Sequence, residues 1–163
     1  MDTPTPTVRR IIIGNDHGGY ETKLEIVKHL QARGIEVADA GSDSMEIVRY
    51  PPYARKVAGA VACGEYARGI LICSTGIGMS IAANKIKGIR ASLCTSPHMA
   101  KMTRQHNDSN VLCLGGKITG LAEIIEIVNA WLENAYIGGR HDISLGLLRD
   151  LEAELGLRVP PAS

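Results

Sequence analysis

The segment Arg10-Ile11-Ile12-Ile13-Gly14 is a short, unbroken, β-branched apolar run closed by glycine, and it constrains the fold of this chain more than any other feature. A strand with one wet face would alternate polar and apolar residues, so an unbroken run suits a strand buried on both faces. The period then changes. From Glu21 onward Leu24, Val27 and Leu30 recur at helical spacing, and Gly34 stands where a helix C-cap glycine is expected. Residues 35–40 are strand-like again.

The same alternation continues to the end of the chain. Residues 53–63 predict a helix that starts after Pro51-Pro52, residues 69–73 a strand, and residues 78–86 a helix. Residues 89–94 and 110–114 predict strands, with 97–105 helical between them. Leu121, Ile124, Ile125, Val128, Trp131 and Leu132 make one apolar face along a helix, and a weaker helix falls within 143–155. Parallel strands need crossover connections, so strands separated by helices predict a mostly parallel five-stranded sheet with helices on both faces, a Rossmann-like three-layer α/β sandwich. With 163 residues the chain fits one domain, expected over 8–157, with 1–7 and 158–163 as flexible tails.

Composition narrows the partners. Eighteen basic against 17 acidic side chains give a formal charge of +1, which leaves no electrostatic footprint for nucleic acid or an anionic membrane. No run approaches the length of a membrane span, and the start MDTPTPTVRR has no apolar stretch for a signal peptide. The four cysteines form no CxxC pair, which fits reduced thiols and a cytoplasmic setting.

In an open α/β sheet, ligands bind beyond the carboxyl ends of the strands. Four polar or glycine-rich segments fall there: Asn15-Asp16-His17-Gly18-Gly19, Cys73-Ser74-Thr75-Gly76-Ile77-Gly78, residues 95–98, and Gly115-Gly116-Lys117. The second is the most specific. A thiol ends a buried strand and small residues lead directly into a helix, where backbone N–H groups can hold an anion or a developing oxyanion. The same field favours a thiolate at Cys73, as base or nucleophile, whereas Cys63, Cys94 and Cys113 read as small hydrophobes.

His106, in Arg104-Gln105-His106-Asn107-Asp108, follows a helix and is either a proton-moving group aimed at the cleft or a solvated helix end. Arg140, in Gly138-Gly139-Arg140-His141, is either a bidentate phosphate ligand or an exposed charge. Lys117 poses the same choice.

Several chemistries are excluded. The turn after the first strand lacks the spacing of a dinucleotide fingerprint, and no P-loop pattern occurs. A cysteine phosphatase loop wants an arginine six residues beyond the thiol, where this chain has Met79. The five histidines are scattered and no cysteine pair has zinc spacing, so no metal site is expected.

Asn15-Asp16-His17-Gly18-Gly19, Tyr50-Pro51, the stretch 69–78, Ala82-Ala83-Asn84-Lys85, Gly88-Ile89-Arg90, Arg104-Gln105-His106-Asn107-Asp108 and Gly138-Gly139-Arg140-His141 together, in order and spacing, resemble the ribose-5-phosphate isomerase B family. That family also includes galactose-6-phosphate and allose-6-phosphate isomerases. The likeness runs from about Arg10 to Leu151. It implies a cofactor-free and metal-free isomerase, a homodimer or tetramer whose active sites are completed across the dimer interface, and a last helix that embraces the partner. It further implies Cys73 as the base between C1 and C2, the backbone of Ser74, Thr75, Gly76, Ile77 and Gly78 as the enediolate cradle, and His106 as the ring-opening group. Asp16, His17, Tyr50 and Asn107 would contact substrate, with Lys117 and Arg140 serving the substrate and its phosphate.

Two positions depart from the family pattern. Ser144 stands where its ribose-5-phosphate isomerases usually have a second phosphate-binding arginine, and Lys117 where arginine is more frequent. Both bear on the sugar and not on the reaction type. The alternatives to ribose 5-phosphate are a six-carbon sugar phosphate, a free sugar, and a sugar-phosphate-binding module without catalysis.

Overall fold

A computed structural model describes residues 8–162. The elements are β1 (Arg10–Asn15), a 3-10 turn (His17–Gly19), α1 (Tyr20–Ala32), β2 (Glu36–Asp39), α2 (Tyr50–Ala62), β3 (Gly69–Cys73), α3 (Ile77–Ala83), β4 (Ala91–Leu93), α4 (Pro97–Asn107), β5 (Val111–Gly115), α5 (Leu121–Glu133) and α6 (His141–Glu154). The strands form one sheet in the order β2-β1-β3-β5-β4, and every pairing is parallel. This is the Rossmann-like α/β sandwich.

Strand side chains alternate between two cores. Ile11, Ile13, Ile70, Ile72, Leu112 and Leu114 meet α1 and α5 through Ile26, Leu30, Ile124, Val128 and Trp131. Ile12, Leu71, Cys73, Val111 and Cys113 meet α2 and α3 through Ala54, Val57, Val61, Met79 and Ala83. Each fully buried Ile or Leu contributes roughly 1.5–3 kcal/mol, which is why strands wet on neither face carry unbroken apolar runs. Without phenylalanine, the largest fully buried side chain is Trp131, whose Nε1 donates to Ser109 Oγ at 2.8 Å.

Several boundaries differ from those expected. Helix α2 begins at Tyr50, so Pro51 and Pro52 lie inside its first turn, where a missing N–H breaks no intrahelical bond. Helix α3 stops at Ala83 because Asn84 leaves the helix and turns its amide to β4: Asn84 Nδ2 donates to Ala91 O and Ala91 N–H donates to Asn84 Oδ1, both at 2.9 Å. Arg90 O and Cys94 N–H bond to the β5 side, so Ala91 faces the open edge of the sheet. The buried face of α1 is Lys23, Ile26 and Leu30, rotated from the expected stripe, and Leu24 is 47% exposed.

Residues 1–7, expected as a tail, lie outside the described residues, as does Ser163. Residues 158–162, also expected as a tail, pack back on the domain. Lys87 N–H donates to Arg158 O at 3.1 Å, and a Cβ added at Gly59 of α2 would meet Pro160 Cγ at 3.3 Å. Among the described residues no helix is long and apolar enough to cross a membrane.

Candidate active site

Strand order reverses between β1 and β3, and the chain leaving their carboxyl ends forms a crevice. Cys73 is the last residue of β3 and is 5% exposed. Gly76 N–H donates to its Sγ at 3.0 Å, so the loop curls around the sulfur and fixes its direction. That curl needs φ of +78° at Gly76, a left-handed conformation in which a Cβ would also meet Leu93 Cδ1 at 2.6 Å. Thr75 Oγ1 accepts from Ile77 N–H at 3.3 Å, and Ser80 Oγ donates to Ile77 O at 2.8 Å. Among the described residues the N–H groups of Ser74, Thr75 and Gly78 have no acceptor. Such N–H groups can donate to an oxygen placed in the crevice.

Asp16 and His17 stand across the crevice from this loop. Asp16 is 6% exposed, and its Oδ1 accepts from Gly18 N–H at 2.9 Å, capping the 3-10 turn. Gly18 lies so close to Ser74 that a Cβ there would meet Ser74 N at 2.9 Å. His17 Nδ1 lies 3.1 Å from Val48 O and 3.3 Å from Val48 N, which anchors the ring to the segment before α2. The Tyr50 ring covers the start of α3, where a Cβ on Gly78 would meet its Cζ at 2.9 Å. Gly116 N–H donates to Cys73 O at 2.8 Å and Lys117 N–H to Ser74 O at 3.0 Å, so the β5 loop braces the β3 loop. The Lys117 side chain pairs with Glu21 at 3.5 Å, both ends half exposed or more. His98, at the start of α4, is exposed.

The remaining expected site residues are elsewhere. Helix α4 begins at the carboxyl edge and returns to the amino edge, a run of about 16 Å for its 11 residues. His106 and Asn107 therefore sit at the opposite edge of the sheet from Cys73. Helix α5 descends the same way, and Ile137 N–H donates to Gln105 O at 3.1 Å, which places the loop holding Arg140 beside them. Arg140 is exposed at the start of α6. Of the two readings of His106, a group aimed at the cleft or a solvated helix end, the single chain shows a helix end away from Cys73.

At the amino edge the His106 and His141 rings stack, with centroids 4.3 Å apart and planes 12° from parallel. Desolvation first, then His106 and Arg140, hold the His141 imidazole below the ordinary histidine range against the pull of Asp142. Among the other thiols, burial pushes Cys94 up to about 12 and Cys113 higher still, which makes both unreactive, and Cys63 is exposed. Among the described residues no three His, Cys, Asp or Glu side chains gather as they would around a metal ion.

The sequence reading overlooked Lys23. It is 1% exposed, and its Nζ donates to Ser42 O at 2.6 Å and pairs with Asp39 at 3.0 Å. Asn15 Nδ2 reaches the same Ser42 O at 3.3 Å and Asp16 O at 2.8 Å. Lys23 thus anchors the loop after β2 beneath Asp16. The signal was present: Lys23 lies three and seven residues before the buried Ile26 and Leu30, a lysine on the apolar face of a helix.

Comparison with known proteins agrees with this architecture. Residues 11–147 match the family described as Ribose/Galactose Isomerase. The chain is 54% identical over 134 residues to ribose-5-phosphate isomerase B of Escherichia coli strain K12, an alignment covering 82% of this chain and 90% of that one. The solved ribose-5-phosphate isomerase B of Clostridium thermocellum superposes with a TM-score of 0.88 at 49% identity, covering 90% of this chain and 99% of that chain. The type B ribose 5-phosphate isomerase of Trypanosoma brucei superposes with a TM-score of 0.86 at 45% identity, over 90% of this chain and 100% of that one.

Proposed function

The chain belongs to the ribose/galactose isomerase family, and from that premise we propose that it interconverts ribose 5-phosphate and ribulose 5-phosphate by proton transfer through an enediolate. The observation that carries this reading is the Cys73 loop, in which an oriented sulfur sits beside unpaired backbone N–H groups. Cys73 removes the proton from C2 and returns it to C1. As it leaves, the C–H electron pair moves toward the carbonyl and negative charge collects on oxygen, where Ser74, Thr75 and Gly78 N–H donate. One proton also passes from O2 to O1. Asp16, His17 and Tyr50 line the same crevice and contact the sugar. His106 opens the furanose ring, assisted by Asn107, and Arg140 and Lys117 serve the phosphate. No cofactor enters the scheme.

Since Cys73 and His106 lie at opposite edges of one sheet, the scheme requires a second copy that brings His106, Asn107 and Arg140 to the Cys73 rim. Helix α6 supports such pairing: only Leu145 is buried, while Ile143, Leu147, Leu148 and Leu151 are exposed, an apolar face that a partner would cover. Two such dimers can pair into a tetramer. The free thiols and the metabolic relatives support a cytoplasmic location.

The decisive assay replaces Cys73 by Ala and follows ribose 5-phosphate turnover together with substrate binding. Abolished turnover with the fold retained is expected; near wild-type turnover removes Cys73 as the base. A second reading, an isomerase of a six-carbon sugar phosphate, draws on the exposed Ser144 and on Lys117 held by Glu21. The ratio of kcat/KM values across a panel of five- and six-carbon sugar phosphates decides between the two.

A further inference from the structure

Beside the starts of β1 and β3 the amino edge holds a cavity of about 640 Å³. Its walls carry Arg9, Arg10, Arg68, Arg90 and Arg104 against Glu65 and Asp108, five guanidinium groups facing two carboxylates, in a chain whose formal charge is only +1. None of Cys73, His106 or Arg140 lines it.

Arg68 and Arg104 are each 6% exposed. Arg68 Nη1 donates to Trp131 O at 3.0 Å and Leu132 O at 3.2 Å, capping α5. Arg104 Nη1 donates to Asp108 Oδ1 at 2.9 Å, and its Nε to Asn134 O at 3.4 Å. Asp108 is shared with Arg90 at 3.4 Å, and the Arg10 side chain is taken by Glu36 at 3.3 Å. Among the described residues Arg68 Nε and Nη2 and Arg104 Nη2 have no acceptor, yet the one sealed side-chain atom without a partner is Asn15 Oδ1. These donors are therefore open to solvent, and the solvent they can reach is the cavity. Desolvation first and then the neighbouring Arg104 bring Arg68 down to about 10, against the pull of Asp108, and the lining as a whole carries more guanidinium groups than carboxylates.

We propose that this cavity is an accessory binding site for a small phosphate-bearing molecule, its phosphoryl oxygens taking the free donors of Arg68 and Arg104 while Arg9 and Arg10 cover it. Guanidinium forks match phosphoryl oxygens in pairs, a phosphate or diphosphate supplies the missing charge, and the volume leaves room for an organic body beyond the phosphate.

Trp131 makes the proposal measurable. It is the only tryptophan, and the Arg68 guanidinium carbon lies 5.3 Å from its ring centroid. The full chain is titrated with inorganic pyrophosphate at constant ionic strength while Trp131 fluorescence is followed, with potassium chloride as the control. A saturable change specific to pyrophosphate is expected in the wild type and in Arg140→Ala. In the double variant Arg9→Gln, Arg10→Gln, whose isomerase activity stays at the wild-type level, Kd rises about tenfold or more, equivalent to about 1.4 kcal/mol. Arg68→Lys, which keeps the charge but loses the fork, weakens binding in the same direction. The proposal is overturned if fluorescence does not respond, if chloride reproduces the response, or if Arg140→Ala removes it while the Arg9 and Arg10 variant keeps it.

Discussion

At the carboxyl edge of the sheet, Cys73 and Asp16 are nearly sealed and each is tied to a backbone N–H of its own loop. At the amino edge, His106 is half-buried against one face of His141, and Asn107 and Arg140 are exposed. The first group is set by the chain alone, through glycines that let loops touch. The second keeps its donors unspent. Carbon-acid chemistry needs its base and its oxyanion donors fixed to within fractions of an ångström before substrate arrives. In the proposed scheme the groups that open the ring and hold the phosphate are oriented on assembly with a second copy.

The strongest way to break this contrast is Cys73→Ala, expected to lower kcat by about 10³-fold or more with an unchanged melting temperature, within the upper range for loss of an acid-base group. His106→Ala should cost less when the substrate is supplied largely in its open-chain form, and a stopped-flow comparison of the two sugar forms measures this. Mixing the two inactive variants after dissociation and reassociation sharpens it further. Half of the dimers are then mixed and each holds one intact site, so about a quarter of wild-type activity returns if sites are shared by symmetric copies. No recovery on mixing would mean that each chain builds its own site.

Smaller effects follow at the supports. Gly76→Ala forces an L-residue into a left-handed conformation, a strain of roughly 1–2 kcal/mol that denaturant unfolding detects, and it turns the loop from Cys73. Lys23→Met removes the shorter of the two hydrogen bonds to Ser42 O and the ion pair with Asp39 and should lower stability by about 1 kcal/mol, with a reduced kcat from a loosened Asp16 loop. The smallest effect belongs to His141. Its folded-state value lies below the unfolded one, so the unfolded chain binds more protons, and stability falls as pH drops from about 6.5 toward that lowered value. His141→Asn should flatten that part of the stability curve.

How much of this was legible in the sequence depended on whether the signal was local. The runs at Ile11 and Ile70 disclosed strands because double burial leaves no polar alternation, and Cys73 disclosed itself by ending one of them. His106 was legible as a chemical group, but the residues around it do not say which end of a crossover it occupies; the order of strand, helix and strand places it at the amino edge. Lys23 was less legible because lysine adds nothing to an apolar stripe, and Leu24 fits the helical spacing with Val27 equally well. The docking of residues 158–162 depends on Gly59 and Lys87, remote in sequence and silent about each other.

Asn84 sits at the open edge of the sheet. By meeting both backbone groups of Ala91, its amide occupies the place that one residue of another strand would take. An exposed parallel edge is a template on which further chains can stack. Asn84 acts as a terminator, and its replacement would show first in solubility and particle size, with the catalytic loop still intact.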